Sequence, residues 1–268
     1  MPPVDPKFLT AIKFLLLYLL LIISFNGFSQ NEHNTAIRRF DKQSTNFASA
    51  VYYQTTNSIV LNSVQKIDSI AETNSMARYF AKEYGESMKK IEFQMEEFDS
   101  AAKVFIRIFE NSFADYFLNA YYANETKQLS GESEWKFFFS HPDLRPWQLV
   151  ILGVNAHTNI DIWKSLVNNF SEKEIRHYKK QILVCQRSIA KVYSDFFNEV
   201  LREKSYLRFI NSFTRGFAKI TGERLVYKWR TRNVKLAILY YHNPHKFEKR
   251  FESVKRKKQK IDELILRK

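Results

Sequence analysis

Between Phe98 and Tyr121 large apolar or small side chains return every three or four positions: Phe98, Ala102, Phe105, Phe109, Phe113, Phe117, Ala120 and Tyr121. That spacing gathers them on one side of an α-helix and offers no alternation that a strand could use. A stripe holding five phenylalanines has to be covered by other helices, and the chain supplies them. Ile175, Tyr178, Ile182, Cys185, Ile189, Val192, Phe196 and Val200 repeat the pattern. Breaks are scarce, because the 268 residues contain six glycines and six prolines, and Pro2, Pro3 and Pro6 stand together at the start. We expect an all-α fold, a single bundle-like domain of about seven or eight helices.

The local signals divide that domain. A helix is expected over about 58–72 and a long one over 75–123, which Gly85 could split, since glycine costs about 1 kcal/mol relative to alanine in a helix. After the loop Lys127 to Ser133, Trp135 to Phe139 form a short apolar segment. His141-Pro142-Asp143-Leu144-Arg145-Pro146 then makes a turn, with Pro146 suited to the first turn of a helix running to Phe170. Ser171 and Glu174 form a capping-box pattern for the next helix, expected to reach Val200. A shorter helix carries Leu207, Ile210, Phe213 and Phe217 and ends at Gly222; another runs from about Glu223 to His242 and stops at Asn243-Pro244.

The first residues read as a leader. Lys7 and Lys13 precede an unbroken apolar run from Phe14 to Ile23, and small residues follow at Gly27 and Ser29. This is the order of a signal peptide over 1–29, cleaved after Ser29, and it predicts a periplasmic or extracellular protein. A polar segment over 30–56, a helical domain over 57–245 and a basic amphipathic helix over 246–268 complete the expected organisation. Cys185 is the single cysteine. It cannot form an intrachain bridge, it excludes a thiolate-rich zinc site, and its place on an apolar stripe makes it a packing residue.

Charge is uneven along the chain. Residues 30–145 hold 13 Lys/Arg and 16 Asp/Glu, whereas residues 146–268 hold 27 and 11. Such a surplus favours anionic partners. Export argues against intracellular nucleic acid and for an anionic membrane surface or an envelope polymer, beside the plainer reading of a solvated basic face. At the carboxy terminus Phe247, Phe251, Val254, Ile261 and Leu264 form an apolar face among Lys249, Arg250, Lys255, Arg256, Lys257, Lys258 and Lys260. That helix could lie on an anionic membrane or dock on the domain.

The chemistry concentrates in Gly153-Val154-Asn155-Ala156-His157-Thr158-Asn159-Ile160-Asp161, a polar cluster inside an apolar segment. Buried polar groups cost free energy unless satisfied. Four residues separate His157 from Asp161, so a helix places both on one face. Imidazole and carboxylate can ligate a divalent metal such as zinc, or act as base and orienter in hydrolysis. A third ligand would come from Asp115, His141, His242 or His245, with Asp115 expected to point inward as the cross-helix companion. Alternatively His157 and Asp161 bond to each other while Asn155 and Asn159 tie neighbouring helices, a structural network. A metal-free ligand pocket is a third option. There is no phosphate-cradling glycine loop, Gly-x-Ser-x-Gly elbow or His-Glu-x-x-His helix, and nucleotide chemistry is not expected.

The run Leu152-Gly153-Val154-Asn155-Ala156-His157-Thr158-Asn159-Ile160-Asp161 resembles the Leu-Gly-x-Asn-Ala-His-x-Asn-x-Asp signature of a bacterial family of helical proteins known as a domain of unknown function. Phe113-Ala114-Asp115-Tyr116-Phe117, Trp135 and Trp229-Arg230-Thr231-Arg232 are similar to further parts of that family. The resemblance spans about residues 60–242 and departs at Ile162-Trp163, where the family has a leucine-containing pair. It implies a helical fold and a site at the cluster, and carries no activity. Two functions from different classes follow. One is an exported, metal-dependent hydrolase of phosphoester or envelope-derived substrates, using His157, Asp161 and Asp115. The other is a non-enzymatic envelope protein binding lipid, polymer or a protein partner.

Overall fold

The computed structural model describes residues 62–131, 133–185, 189, 192 and 217–266. The leader over 1–29, the polar segment over 30–56 and the helix expected around Leu207 and Phe213 lie outside these residues. Among the described residues there are helices and turns and no strand. In chain order they are α1 over 62–71, α2 Arg78–Met95, α3 Ser100–Glu125, the single turn α4 Lys136–Phe139 and α5 Pro146–Ala156. A π-helical turn His157–Asp161 leads into α6 Ile162–Asn169. Then come α7 Glu172–His177, α8 from residue 179 through 185, α9 Phe217–His242 and α10 Pro244–Leu266.

Helix α5, the π turn and α6 form one rod through the middle of the domain. α2 and α10 lie against α5, α3 and α9 against α6, and α3, α9 and α10 also meet the π turn. A helix enclosed on all sides must be apolar on all sides. Leu149, Val150, Leu152, Val154 and Ala156 meet that demand in α5, whereas α6 buries one face, with Ile162 and Leu166, and leaves Asn168 and Asn169 exposed. The α3 stripe fills the space beside the rod. Phe109, Phe113 and Phe117 are among the largest fully buried side chains, each contributing about 2–3 kcal/mol by burial.

Local chemistry sets most boundaries. Asp99 accepts a 2.8 Å hydrogen bond from the Ala102 N–H and so starts α3. Pro146 opens α5, while the Gln148 amide oxygen caps the Arg145 N–H at 3.1 Å. The Ser171–Glu174 capping box forms, with the Ser171 N–H donating to Glu174 Oε2 at 2.8 Å. Asn243-Pro244 both stops α9 and starts α10, since Asn243 Oδ1 accepts from the Lys246 N–H at 2.9 Å.

Several expected boundaries differ. The long helix over 75–123 breaks at 96–99, not at Gly85, which lies buried inside α2. Tyr178 interrupts the helix that begins at Ser171, and its ring stacks on Phe105 at 4.5 Å. Gly222 lies inside α9 and ends nothing. The carboxy-terminal helix is part of the domain, because Phe247, Val254, Ile261 and Ile265 are buried against it. No helix among the described residues is long and apolar enough to cross a membrane.

Gly153 explains how α2 comes so near α5. A Cβ at that position would stand 2.4 Å from Phe80 Cδ2 and 2.6 Å from its Cγ. Phe80 is itself enclosed by Phe117, Trp135 and Phe138 and has nowhere to move. At Gly85 the same test meets Asp68 Oδ1 at 2.8 Å, the end of a half-exposed side chain that can swing away. Gly153→Ala is therefore expected to lose about 2–3 kcal/mol in urea denaturation, overpacking outweighing the helix-propensity gain. Gly85→Ala should gain up to about 1 kcal/mol in the same measurement.

Candidate functional site: a buried histidine–aspartate pair

The π turn is held open by side chains that take up its carbonyls. Thr158 Oγ1 donates to the Val154 carbonyl at 2.7 Å, Asn159 Nδ2 to that of Asn155 at 3.1 Å, and Ser165 Oγ to that of Asp161 at 2.9 Å. From α9, Asn233 Nδ2 donates to the Thr158 carbonyl at 2.7 Å. Each bond satisfies an acceptor that a tighter ladder would otherwise claim. The wider turn also brings residues four apart more nearly over one another than the 3.6-residue α turn does.

His157 and Asp161 use that alignment. The Nδ1 of His157 is 3.1 Å from Asp161 Oδ2, and Trp135 Nε1 donates to the same oxygen at 3.0 Å. Both residues are enclosed, His157 being 3% and Asp161 2% exposed. Aromatic rings form the walls. Phe113 stacks on the imidazole at 3.4 Å between centroids, Tyr84 meets it edge-on at 4.5 Å and Phe80 at 5.6 Å. Inside this box His157 Nε2 and the Tyr84 hydroxyl have no hydrogen-bond partner among the described residues.

Burial drives His157 well below the ordinary 6.5, and the Arg230 charge acts in the same direction. Burial raises Asp161 well above 3.8, opposed by Lys164 and by the Trp135 hydrogen bond. Both shifts favour the uncharged form of the group concerned. Arg230 reaches the site from α9 through an ion pair with Glu110 of α3, 2.8 Å between Nη1 and Oε1, and both partners are buried. Its guanidinium lies 5.5 Å from the Phe109 centroid and 5.9 Å from that of Phe113. Burial raises the Glu110 carboxyl, with Arg230 opposing.

A second network starts from the two asparagines. Asn155 Nδ2 donates to the Lys258 carbonyl at 3.0 Å and to Asp262 Oδ1 at 2.7 Å, both on α10. Asn159 Oδ1 receives Arg232 of α9, and Lys258 Nζ bonds Asp262 Oδ2 at 2.7 Å. The asparagines therefore join the rod to two helices distant in sequence.

The proposed metal ligands do not converge. Asp115 lies on the exposed side of α3, with Lys66 the charge that acts on it, so the inward companion expected from sequence is absent from the box. His141 Nδ1 bonds the Phe137 carbonyl at 2.7 Å, and His242 and His245 are exposed at the α9–α10 junction. Among the described residues no group of three or more His, Cys, Asp or Glu could hold a metal ion. Since Asp161 occupies Nδ1 of His157, the two cannot both ligate one ion here; a metal at Nε2 would leave Asp161 as an orienting partner. Among the described residues the donor set at His157 does not fit zinc.

Sequence reasoning missed Tyr84, Glu110, Arg230 as an ion-pair partner, Arg232, and the Lys258–Asp262 pair. Glu110 carried a signal, standing between Ile106 and Phe113 on an otherwise apolar stripe. Lys258 and Asp262 carried one too, four apart on the apolar face of α10.

Breaking the pair leaves a buried carboxyl without its partner. His157→Ala should cost about 3–5 kcal/mol in urea denaturation. The pH dependence follows from the two shifts. A histidine whose folded value is lowered makes stability fall as pH drops below 6.5, and an aspartate whose folded value is raised makes it fall as pH rises above 3.8. Between those values the slopes cancel. The stability of the wild type, measured relative to a His157→Gln/Asp161→Asn double variant, should form a plateau from about pH 4 to 6.5 and decline on both sides.

Neither a curated protein nor a solved structure matches the chain. A family profile does, over residues 58–268, a span that takes in the aromatic box, the π turn and the whole of α10. On that match the chain belongs to DUF5995, a family of unknown function.

Proposed function

We propose that this is an exported, non-catalytic helical protein that engages an anionic membrane surface through its basic carboxy-terminal half, with His157 and Asp161 as its packing centre. The observation that carries this reading is the closure of the His157–Asp161 pair inside four aromatic residues, away from the candidate third ligands. Export rests on the amino-terminal charge and hydropathy pattern. The partner rests on the 27 Lys/Arg against 11 Asp/Glu after residue 145.

The mode of contact is electrostatic. The apolar face of α10 is spent on the domain, so this helix offers a membrane its outer row, with Lys246, Lys249, Arg256 and Lys260 exposed. Attraction of that kind acts across a Debye length of about 8 Å and weakens with salt.

One observation favours a second reading, catalysis with His157 as base and Asp161 as orienter. Among the described residues Nε2 has no hydrogen-bond partner, and the neighbouring Tyr84 hydroxyl has none either.

Diethyl pyrocarbonate labelling read by mass spectrometry separates the two. The exposed His177, His242 and His245 should react while His157 stays unmodified in the folded protein. Modification of His157 at the rate of the exposed histidines, with helicity unchanged, would replace the first reading by the second. For the partner, vesicles containing phosphatidylglycerol should bind at low salt and release at high salt, and pure phosphatidylcholine vesicles should not bind. Indifference to lipid charge would sink the membrane assignment.

A further inference from the structure

Five large aromatic residues meet where α9 turns into α10. Between ring centroids Tyr240 lies 5.3 Å from Tyr241, 5.3 Å from Phe247 and 6.1 Å from Trp163. Phe251 continues the cluster, 4.9 Å from Trp163 and 5.7 Å from Phe247. Trp163 and Phe247 are buried, whereas Tyr240 is 43% and Tyr241 39% exposed. Every residue from 240 to 246 is exposed, so the two tyrosines belong to a corner that is open to solvent. They are also held in place. The Tyr241 hydroxyl reaches the carbonyls of Val167 and Phe170 at the end of α6, 2.7 and 2.8 Å away, and Tyr240 is set edge-on against Phe247. Side chains already fixed by packing lose little freedom when a partner covers them.

Charge decides what such a shelf can meet. Residues 240–256 hold five Lys/Arg and two Asp/Glu, and one of the two acids, Glu252, is paired with Lys255. Lys246 and Lys249 are exposed on the first turns of α10. Other large apolar side chains at the surface stand in the opposite setting, Phe93 between Glu92 and Glu96 and Tyr122 close to Glu125. An anionic surface repels those two and attracts the corner. Tyrosine beside lysine also suits the headgroup level of a bilayer, where the ring meets the acyl boundary while hydroxyl and ammonium stay with water and phosphate.

We propose that the α9–α10 corner, with Tyr240 and Tyr241 at its surface and Lys246 and Lys249 next to them, seats in the headgroup layer of an anionic bilayer. The outer row of α10 brings the protein to the membrane by charge, and the aromatic corner holds it there when salt has screened that attraction. This rests on the membrane reading above and adds to it a point of contact and an apolar component.

The test uses the full chain. Cys185 is buried and its thiol is pushed up to about 12, so a cysteine introduced at the surface takes a label alone. The fluorophore nitrobenzoxadiazole is attached at His242→Cys in the corner or at Gln259→Cys on the exposed side of α10. On vesicles containing phosphatidylglycerol the label at 242 should shift to the blue and be quenched by brominated acyl chains, and the label at 259 should do neither. Without labels, Tyr240→Ser should bind these vesicles about fivefold more weakly, and Tyr122→Ser should change binding less than about twofold. Thermal melts confirm that the variants fold. Equal shifts at 242 and 259 would overturn the corner and leave α10 lying flat on the surface. A label at 242 that stays in water while the protein binds would overturn the corner alone. Self-association without vesicles, abolished by Tyr240→Ser, would give the corner to a second copy of this chain instead. Failure of the wild type to bind the vesicles would overturn the corner and the membrane reading together.

Discussion

Two ring nitrogens converge on one carboxyl oxygen of Asp161, and the domain is arranged around that convergence. Trp135, the residue just before the short turn α4, supplies one, and His157, four residues earlier in the rod, supplies the other. Together they let an acidic group exist where water does not reach. Burial disfavours the charged form of both partners, and aromatic rings close over the pair. The Trp135 bond also fixes the chain at the start of α4, whose Phe138 packs against Phe80 and Trp135. Phe80, Tyr84 and Phe113 then bring α2 and α3 to the rod at a fixed distance.

Apolar stripes alone would let these helices slide along one another, since one phenylalanine contact is much like the next. The buried polar groups remove that freedom. Glu110 and Arg230 pair α3 with α9, Asn233 ties α9 to the π turn, and Asn155 reaches α10 at Lys258 and Asp262. Each such link is satisfied in one register and broken in its neighbours, which converts a collapsed helical core into a defined one.

Much of this was legible in the residues. The Phe98–Tyr121 stripe announces a buried helix, and the four-residue spacing of His157 and Asp161 predicts a shared face whether the turn is α or π. Asp115 was misplaced although the same spacing argues against it: Phe113 and Phe117 face the core, and residue 115 lies midway between them on the far side. Gly85 looks like a break but is carried within α2, whereas the true break comes where Asp99 can cap. The basic amphipathic pattern of α10 reads alike whether its apolar face meets lipid or protein, and only Lys258 and Asp262, an ion pair within that face, point to protein. The π turn itself was hidden because its carbonyls are claimed by side chains from α9 as well as from the rod.

An extra residue in one turn has an effect beyond that turn. Each residue of an α-helix rotates the following chain by about 100°, so α6 emerges from His157–Asp161 in a different angular frame from the one α5 entered with. The rod is in effect two helices with separate phases, one reading toward α2 and α10 and the other toward α3 and α9. A sequence can thereby give a single continuous segment two sets of neighbours without a loop, and the joint between the two frames is where its ionisable pair is kept.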